Sequence, residues 1–232
     1  MMIRQAVVLV GGLGTRLGDL TAQTPKPLLE VGGRPFLARL LDEVRRQGVE
    51  RILLLAGFGA GMVEAAFADD PGVSVSVEPR PLGTGGALRF AEDRLDPQFF
   101  FLNGDSLFDI PLADLAPARA GDALAALALR PVKDIARYGP AVLEGGRIVS
   151  FGEGQGRGAG LVNGGVAAVS RTLVDAIPAG RAVSIEAEIW PVLAREGRLS
   201  GRAFDRPFID IGVPEDFARA QTFLPALLDG RR

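Results

Sequence analysis

Apolar positions along this chain fall into two rhythms, short continuous runs and stripes at helical spacing, and the two alternate. Residues 6–10 form an uninterrupted apolar run of strand length that stops at Gly11, Gly12 and Gly14. Pro35 then opens a helix in which Phe36, Leu37, Leu40, Leu41 and Val44 make one apolar stripe, and Gly48 ends it. Residues 51–57 predict a second strand and residues 61–68 a short helix. Val73, Val75 and Val77 alternate with Ser74 and Ser76, the pattern of a half-exposed edge strand. Residues 84–95 predict a helix approached through glycines. Phe99, Phe100, Phe101 and Leu102 read as a buried central strand ending at Asn103-Gly104-Asp105.

The second half has a different texture. Residues 124–129 form another apolar strand, and residues 141–143 and 147–151 pair as a hairpin across Glu144-Gly145-Gly146. Residues 162–169 predict a strand interrupted at Asn163-Gly164-Gly165. Residues 184–196 predict a helix broken or kinked at Pro191, and Pro214 starts the last helix with acids in its first turn. Strands alternating with helices imply an α/β, Rossmann-like fold: a mostly parallel mixed sheet with helices on both faces. No linker composition intervenes, so residues 1–232 are read as one domain. The change of texture divides it into a first half of about 1–110 and a second of about 111–232.

Composition narrows the chemistry by what it lacks. The chain has no Cys and no His. That excludes thiolate nucleophiles, imidazole bases, Ser-His-Asp triads and Cys- or His-ligated metals. A metal here would be a hard cation held by oxygen, magnesium or else manganese. Net charge is −2 with no basic block before Arg231-Arg232, which argues against nucleic acid as a partner. No apolar stretch has the length of a membrane span, and the first residues lead straight into a strand without a leader pattern. A cytoplasmic protein with no membrane partner, monomer or homodimer, is expected.

The densest signal is Gly11-Gly12-Leu13-Gly14-Thr15-Arg16-Leu17, with Pro25-Lys26-Pro27-Leu28-Leu29 close behind. Glycines at a strand's carboxyl end let backbone N–H groups close on a phosphate. Arg16 and Lys26 add cations to the same neighbourhood. Of 26 basic residues only two are lysines, Lys26 and Lys133, and Lys26 sits between two prolines that stiffen it. An ammonium acts on phosphate as a point charge, so this reads as a triphosphate site. A dinucleotide fingerprint needs a crossover helix directly after the glycines, and Pro25 and Pro27 leave too little room for one. A Walker loop needs Gly-Lys-Ser/Thr, which is absent. Taken alone, Asp105 reads as a turn residue after Gly104. Asp210, between Ile209 and Ile211, is a costly carboxylate unless paired or coordinated.

These motifs, with Pro81 to Ala87, Leu102 to Asp105, Arg137-Tyr138-Gly139, Asn163-Gly164-Gly165 and Phe208 to Gly212, resemble the sugar-1-phosphate nucleotidyltransferases across almost the whole chain. The run Phe208 to Phe217 is most similar to the branch that joins GTP to D-glycero-D-manno-heptose 1-phosphate. The resemblance implies transfer of a nucleoside monophosphate from a nucleoside triphosphate to a sugar 1-phosphate, with pyrophosphate released. It implies catalytic Arg16 and Lys26, and metal ligands Asp105 and Asp210. Nucleotide contacts would come from Leu9, Gly11, Gly12, Gly14, Thr15, Glu78, Pro81, Gly83, Thr84 and Asn103. Sugar contacts would come from Tyr138, Gly139, Glu153, Asn163, Gly164 and Glu186. Family members commonly carry Glu-Lys where this chain reads Glu153-Gly154, which leaves Arg157, or Lys26 with Arg16, to hold the sugar phosphate. Mannose 1-phosphate and GTP, or N-acetylmuramate 1-phosphate and UTP, are the alternatives within the class. A non-catalytic nucleotide-sugar sensor and an NAD(P)-dependent oxidoreductase are the alternatives outside it.

Overall fold

A computed structural model describes residues 2–12, 14–118, 121–135, 139–152 and 157–231. In chain order the strands are β1 (Gln5–Leu9), β2 (Glu30–Val31), β3 (Arg34–Pro35), β4 (Arg51–Ala56), β5 (Val73–Val77), β6 (Gln98–Asn103), β7 (Ser106–Phe108), β8 (Ala125–Val132), β9 (Pro140–Glu144), β10 (Arg147–Phe151), β11 (Gly160–Ser170), β12 (Leu199–Ala203) and β13 (Phe208–Asp210). The helices are α1 (Phe36–Arg46), α2 (Ala60–Ala66), α3 (Gly83–Phe90), α4 (Leu112–Leu115), α5 (Trp190–Arg195) and α6 (Pro214–Leu228).

The main sheet runs β5-β4-β1-β6-β11-β8-β12-β10-β9. β5, β4, β1 and β6 are parallel, and β8, β12 and β9 run with them; β10 and β11 run against the rest. From β1 the chain steps outward through β4 to β5, then returns to place β6 on the other side of β1. That reversal opens a crevice at the carboxyl ends of β1 and β6, where α/β folds hold ligands. On the far side the sheet curls shut. β6 pairs with β11 over residues 166–170, and β9 pairs with Leu161 and Val162, so β11, β8, β12, β10 and β9 close into a ring.

Alternation along the strands sends side chains into two cores. Val8 and Ala6 join one with the apolar stripe of α1, Val63 of α2, Leu112 and Leu115 of α4, and Ala220 and Leu224 of α6. Val7, Leu53 and Leu55 join the other with Leu88 of α3 and Trp190 and Leu193 of α5. Each such valine, leucine or phenylalanine side chain stabilises by about 1.5–3 kcal/mol. Leu37, fully buried on α1, would cost about 2–5 kcal/mol if cut to alanine. Both halves read from the sequence contribute to both cores and share the one sheet. No helix among the described residues is long and apolar enough to cross a membrane.

Four elements differ from expectation for identifiable reasons. The helix expected over 84–95 ends at Phe90 and finishes as a tight turn over Glu92–Arg94. The strand expected to break at Asn163-Gly164-Gly165 continues as β11, absorbing the glycines as a bulge between Asn163 and Ala167. The helix expected over 184–196 is a π-turn, Ile185–Ile189, leading into α5. Trp190 N–H donates to Ile185 O, five residues back, and Pro191, with no N–H, falls in the first turn of α5 where none is needed. The ribbon of β7 and β13, three residues each, carries too short a pattern to read.

Candidate active site

The loop after β1 is shaped by backbone geometry. Gly14 has φ +64°, and its carbonyl accepts from Thr21 Oγ1 at 3.1 Å. The left-handed turn brings Gly14 against the stem of Lys26, where a Cβ would lie 3.3 Å from Lys26 Cβ. Pro25 docks against Gly59 at the start of α2. The chain then closes a tight turn with Leu28 N–H on Pro25 O at 2.8 Å. Lys26 is thereby 8% exposed, and its Nζ lies 2.5 Å from Asp105 Oδ2.

Asp105 follows β6 through Gly104, whose N–H donates to Leu9 O at 2.9 Å in an approach too close for a side chain. Asp210 ends β13 opposite Ser106, and Ile211 N–H donates to Asp105 O at 2.9 Å. The two aspartates are therefore set side by side by backbone pairing. Burial pushes the Asp210 carboxyl up from its ordinary value, and the neighbouring Asp105 charge adds to the rise. A hydrogen bond from Gly212 N–H, then the charges of Lys26 and Arg16, oppose it. The exposed Arg16 reaches the same spot, since a Cβ on Gly212 would meet Asp210 Oδ1 at 2.6 Å and Arg16 Nη2 at 3.2 Å. Two cations and two carboxylates thus converge from four separate segments.

The other end of the crevice holds Glu78, just past β5. Its Oε2 accepts from Leu82 N–H at 3.0 Å, and its carboxyl lies against Gly57. Burial pushes the Glu78 carboxyl above its ordinary value, partly offset by the Leu82 hydrogen bond. Thr84 is differently engaged. Its hydroxyl donates to Glu186 Oε2 at 2.7 Å and accepts from Ile185 N–H at 2.8 Å. Ser184 Oγ, at the mouth of the π-turn, also lies 3.4 Å from Glu186 Oε2. With its one proton directed at Glu186, Thr84 positions that carboxylate, while Glu78 presents its own carboxylate at this end of the crevice.

Between these ends lies a cavity of about 460 Å³. Of the residues named from the sequence, Leu9, Gly11, Gly12 and Lys26 line it on the β1 side. Glu78, Pro81, Gly83 and Thr84 line it around α3, and Asn103, Asp105 and Glu186 complete it. A narrow cleft adjoining it brings Asn163 together with Asn103, Glu186 and Trp190. The structure leaves six named residues out of this lining; Arg16 and Asp210 stand beside Lys26 and Asp105 at its charged end, and four are set apart. Gly14 and Thr15 shape the loop without lining the cavity. Gly164 is buried against Phe108 and Ala128 O, where its lack of a side chain serves packing. Gly139 is exposed beside Gly152. Tyr138 and Glu153 lie outside the described residues. The lining also includes Pro27, Leu55, Ala87 and Gly104, which were not singled out. Leu55 carries only a core periodicity, while Pro27, Ala87 and Gly104 belong to the motifs Pro25 to Leu29, Pro81 to Ala87 and Leu102 to Asp105.

A crevice at a sheet reversal, with clustered cations and carboxylates at one end and a half-buried carboxylate at the other, defines a nucleotide-handling α/β enzyme. Comparison with known proteins makes this specific: the chain belongs to the Nucleotidyl transferase family, matching it over residues 5–226. It is 32% identical over 222 residues to the D-glycero-alpha-D-manno-heptose 1-phosphate guanylyltransferase of Aneurinibacillus thermoaerophilus, covering 94% of this chain and 96% of that one. It is 36% identical over 230 residues to the mannose-1-phosphate guanylyltransferase of Mycobacterium tuberculosis, covering 94% of this chain and 64% of that one. Among solved structures it is similar to HddC from Yersinia pseudotuberculosis complexed with GMP-PN, with TM-score 0.82, 30% identity, and coverage of 94% and 98%.

Proposed function

We propose that this protein transfers GMP from GTP to D-glycero-α-D-manno-heptose 1-phosphate, giving GDP-heptose and pyrophosphate. The observation that carries this reading is the cavity itself, with Glu78 at one end and Lys26 and Asp105 at the other. Guanine presents two adjacent donors, N1–H and the N2 amino group, and one carboxylate accepts from both. Uracil and thymine present a single N–H between two carbonyl oxygens, which a carboxylate repels. A half-buried Glu78 therefore favours guanine, because an unpaired or opposed polar group in such a site is costly. Similarity to heptose 1-phosphate guanylyltransferases over nearly the whole chain supports the acceptor.

The chemistry requires little of the side chains beyond placement and charge. A phosphate oxygen of the sugar 1-phosphate attacks the α-phosphorus in line, a new P–O bond forms, and the α,β-bridging P–O bond breaks to release pyrophosphate. The attacking oxygen is already ionised near neutral pH, so no base is needed, in keeping with a chain that has no histidine. Arg16 and Lys26 offset charge that develops on the transferring and leaving phosphates. Asn163 and Glu186 face the acceptor, Glu186 oriented by Thr84. Asp105 and Asp210 fit a hard divalent cation, since the Asp210 carboxyl is raised in part by its neighbour's charge and a cation between them relieves that repulsion. Bound there, magnesium or manganese would supply neutralisation of the triphosphate.

The test is a pyrophosphate-release screen crossing ATP, GTP, CTP, UTP and dTTP with heptose, mannose, glucose and N-acetylmuramate 1-phosphates. GTP with the heptose phosphate should give the highest kcat/KM. Mannose 1-phosphate leading instead would move the protein to the branch of its mycobacterial relative. UTP or dTTP leading would overturn the argument from Glu78. Nucleotide-sugar binding without pyrophosphate release from any pair would leave a sensor.

A further inference from the structure

We propose that Arg130 binds the phosphate of the incoming sugar 1-phosphate, facing Arg16 and Lys26 across the site; this rests on the transfer reaction proposed above. The first support is its place on the sheet. β8 runs in the direction of β1 and β6, so its carboxyl end reaches the same edge as the cavity. Residues 125–129 of β8 are buried and apolar, and Arg130 is the first charged residue the strand presents at that edge. By alternation its side chain follows Ala126 and Ala128, which share a core with Leu107, Phe108 and Ile209 of the β7–β13 ribbon.

The second support is what holds the guanidinium. Arg130 Cζ lies 4.1 Å from the centroid of the Phe208 ring. Phe208 stands opposite Phe108, and Asp210 opposite Ser106, so Phe208 and Asp210 share one face of the ribbon. That face turns toward β11: Gly164 lies against Phe108, and Gly165 against Ser106 and Asn103. Two residues of strand span about 7 Å. The guanidinium is thus one such step along the ribbon from the Asp210 position. Stacking engages the flat face of a guanidinium, whereas phosphate is recognised through its edge, so the two contacts are compatible.

The third support is direction. In-line displacement puts the acceptor and the departing pyrophosphate on opposite sides of the α-phosphorus. Arg16 and Lys26 arrive from the β1 side, while β8 and β11 lie beyond Asp105 and Asp210. Arg130 pairs in register with Val162, one step along from the Leu129–Asn163 pair and on the opposite face of the sheet, so it is the order of strands, with β8 beyond β6, that sets it on the acceptor side.

The experiment measures KM for GTP and for the best sugar 1-phosphate separately, in the wild type, Arg130→Met, Arg130→Lys and Phe208→Leu. Arg130→Met should raise KM for the sugar phosphate tenfold or more, as expected for loss of a charge-assisted hydrogen bond, with KM for GTP within twofold. Arg130→Lys should fall between, because an ammonium keeps the charge but loses the fork and the stack. Phe208→Leu should raise the same KM by a smaller factor. An unchanged KM for the sugar phosphate in Arg130→Met, or equal rises in both KM values, overturns the proposal. If Arg130→Met lacks a cooperative thermal transition, Arg130→Lys decides, and wild-type KM values in that variant overturn it equally. A wild type that releases no pyrophosphate with any pair would instead overturn the transfer reaction, a separate outcome.

Discussion

Substituting Lys26 separates the ion pair it makes with Asp105 from the phosphate-binding role proposed for it. Its Nζ sits 2.5 Å from Asp105 Oδ2, with side-chain exposures of 10% and 27%. Breaking a fully buried pair by removing one partner costs about 3–5 kcal/mol. Asp105 keeps some water, so the expected loss for Lys26→Met is smaller, about 1–3 kcal/mol. At roughly 2–4 °C per kcal/mol for a chain of this size, Tm should fall by about 2–12 °C. Turnover should fall further, by about a hundredfold or more, because one preorganised cation at a phosphate contributes about 3–4 kcal/mol in the transition state. Lys26→Arg should be nearly as slow, since the larger planar head must fit where the buried Lys26 ammonium meets Asp105. The double variant Lys26→Met/Asp105→Asn distinguishes the roles, since it removes the orphaned charge. Thermal denaturation should then return to within about 1 kcal/mol of wild type. Pyrophosphate release should stay at least as low as in Lys26→Met. A double variant as unstable as the single one would show that Asp105 is not what Lys26 steadies. Near-normal turnover in Lys26→Arg would refute the point-charge argument.

The remaining expectations follow from other parts of the site. Asp105→Asn and Asp210→Asn should each shift the magnesium titration of activity to higher concentration, and an unchanged titration at normal rate would make that residue structural. Glu78→Gln should lower the preference for GTP over UTP at least tenfold in competition assays; equal preference to wild type would remove Glu78 from base recognition. Burial raises the folded Glu78 pKa above 4.5, so ionising it costs stability as pH climbs through the folded value, and that cost is absent below the unfolded one. Glu78→Gln should therefore gain most in Tm at neutral pH, with the gain closing as pH falls toward 4.5, and a gain that grows at acid pH would contradict the sign. Arg39, 4% exposed, donates to Val31 O, Gly32 O and Asp229, so Arg39→Met should lower stability by about 2–4 kcal/mol in urea unfolding with activity at low temperature retained.

What could be read from the sequence was what is contiguous in it. The run into Gly11 and the proline-flanked Lys26 announce themselves because strand, loop and cation lie within a few turns of chain. The edge position of β5 followed from the alternation of valine and serine, and the hairpin of β9 and β10 from Gly145-Gly146. The direction of Lys26 could not be read, since Asp105 is 79 residues away. Nor could the partner of Thr84, whose proton goes to Glu186 across 102 residues. The π-turn leaves no local mark, because Ile185 to Ile189 has the composition of an ordinary helix. Arg39 shows why charge is a weak guide to exposure: its carbonyl partners belong to a two-residue strand and the turn after it, neither with a periodicity to detect.

Backbone pairing also holds the aspartate pair where its charges are unfavourable. Asp210 would be better solvated almost anywhere else, yet it cannot move without breaking the ribbon. Phe208, Ile209 and Asp210 pair residue by residue with Phe108, Leu107 and Ser106, and Ile211 N–H continues the ladder to Asp105 O. Ile209 and Ile211 on the opposite face are fully buried, which pins the register, because a one-residue slip would put an isoleucine in the site and the carboxylate in the core. The placement of both carboxylates is therefore decided by backbone and core, independently of the metal-binding role proposed for their charge. Asparagine at either position leaves the ladder and the buried isoleucines that set the geometry untouched, while at Asp105 it also removes the ion-pair partner of Lys26.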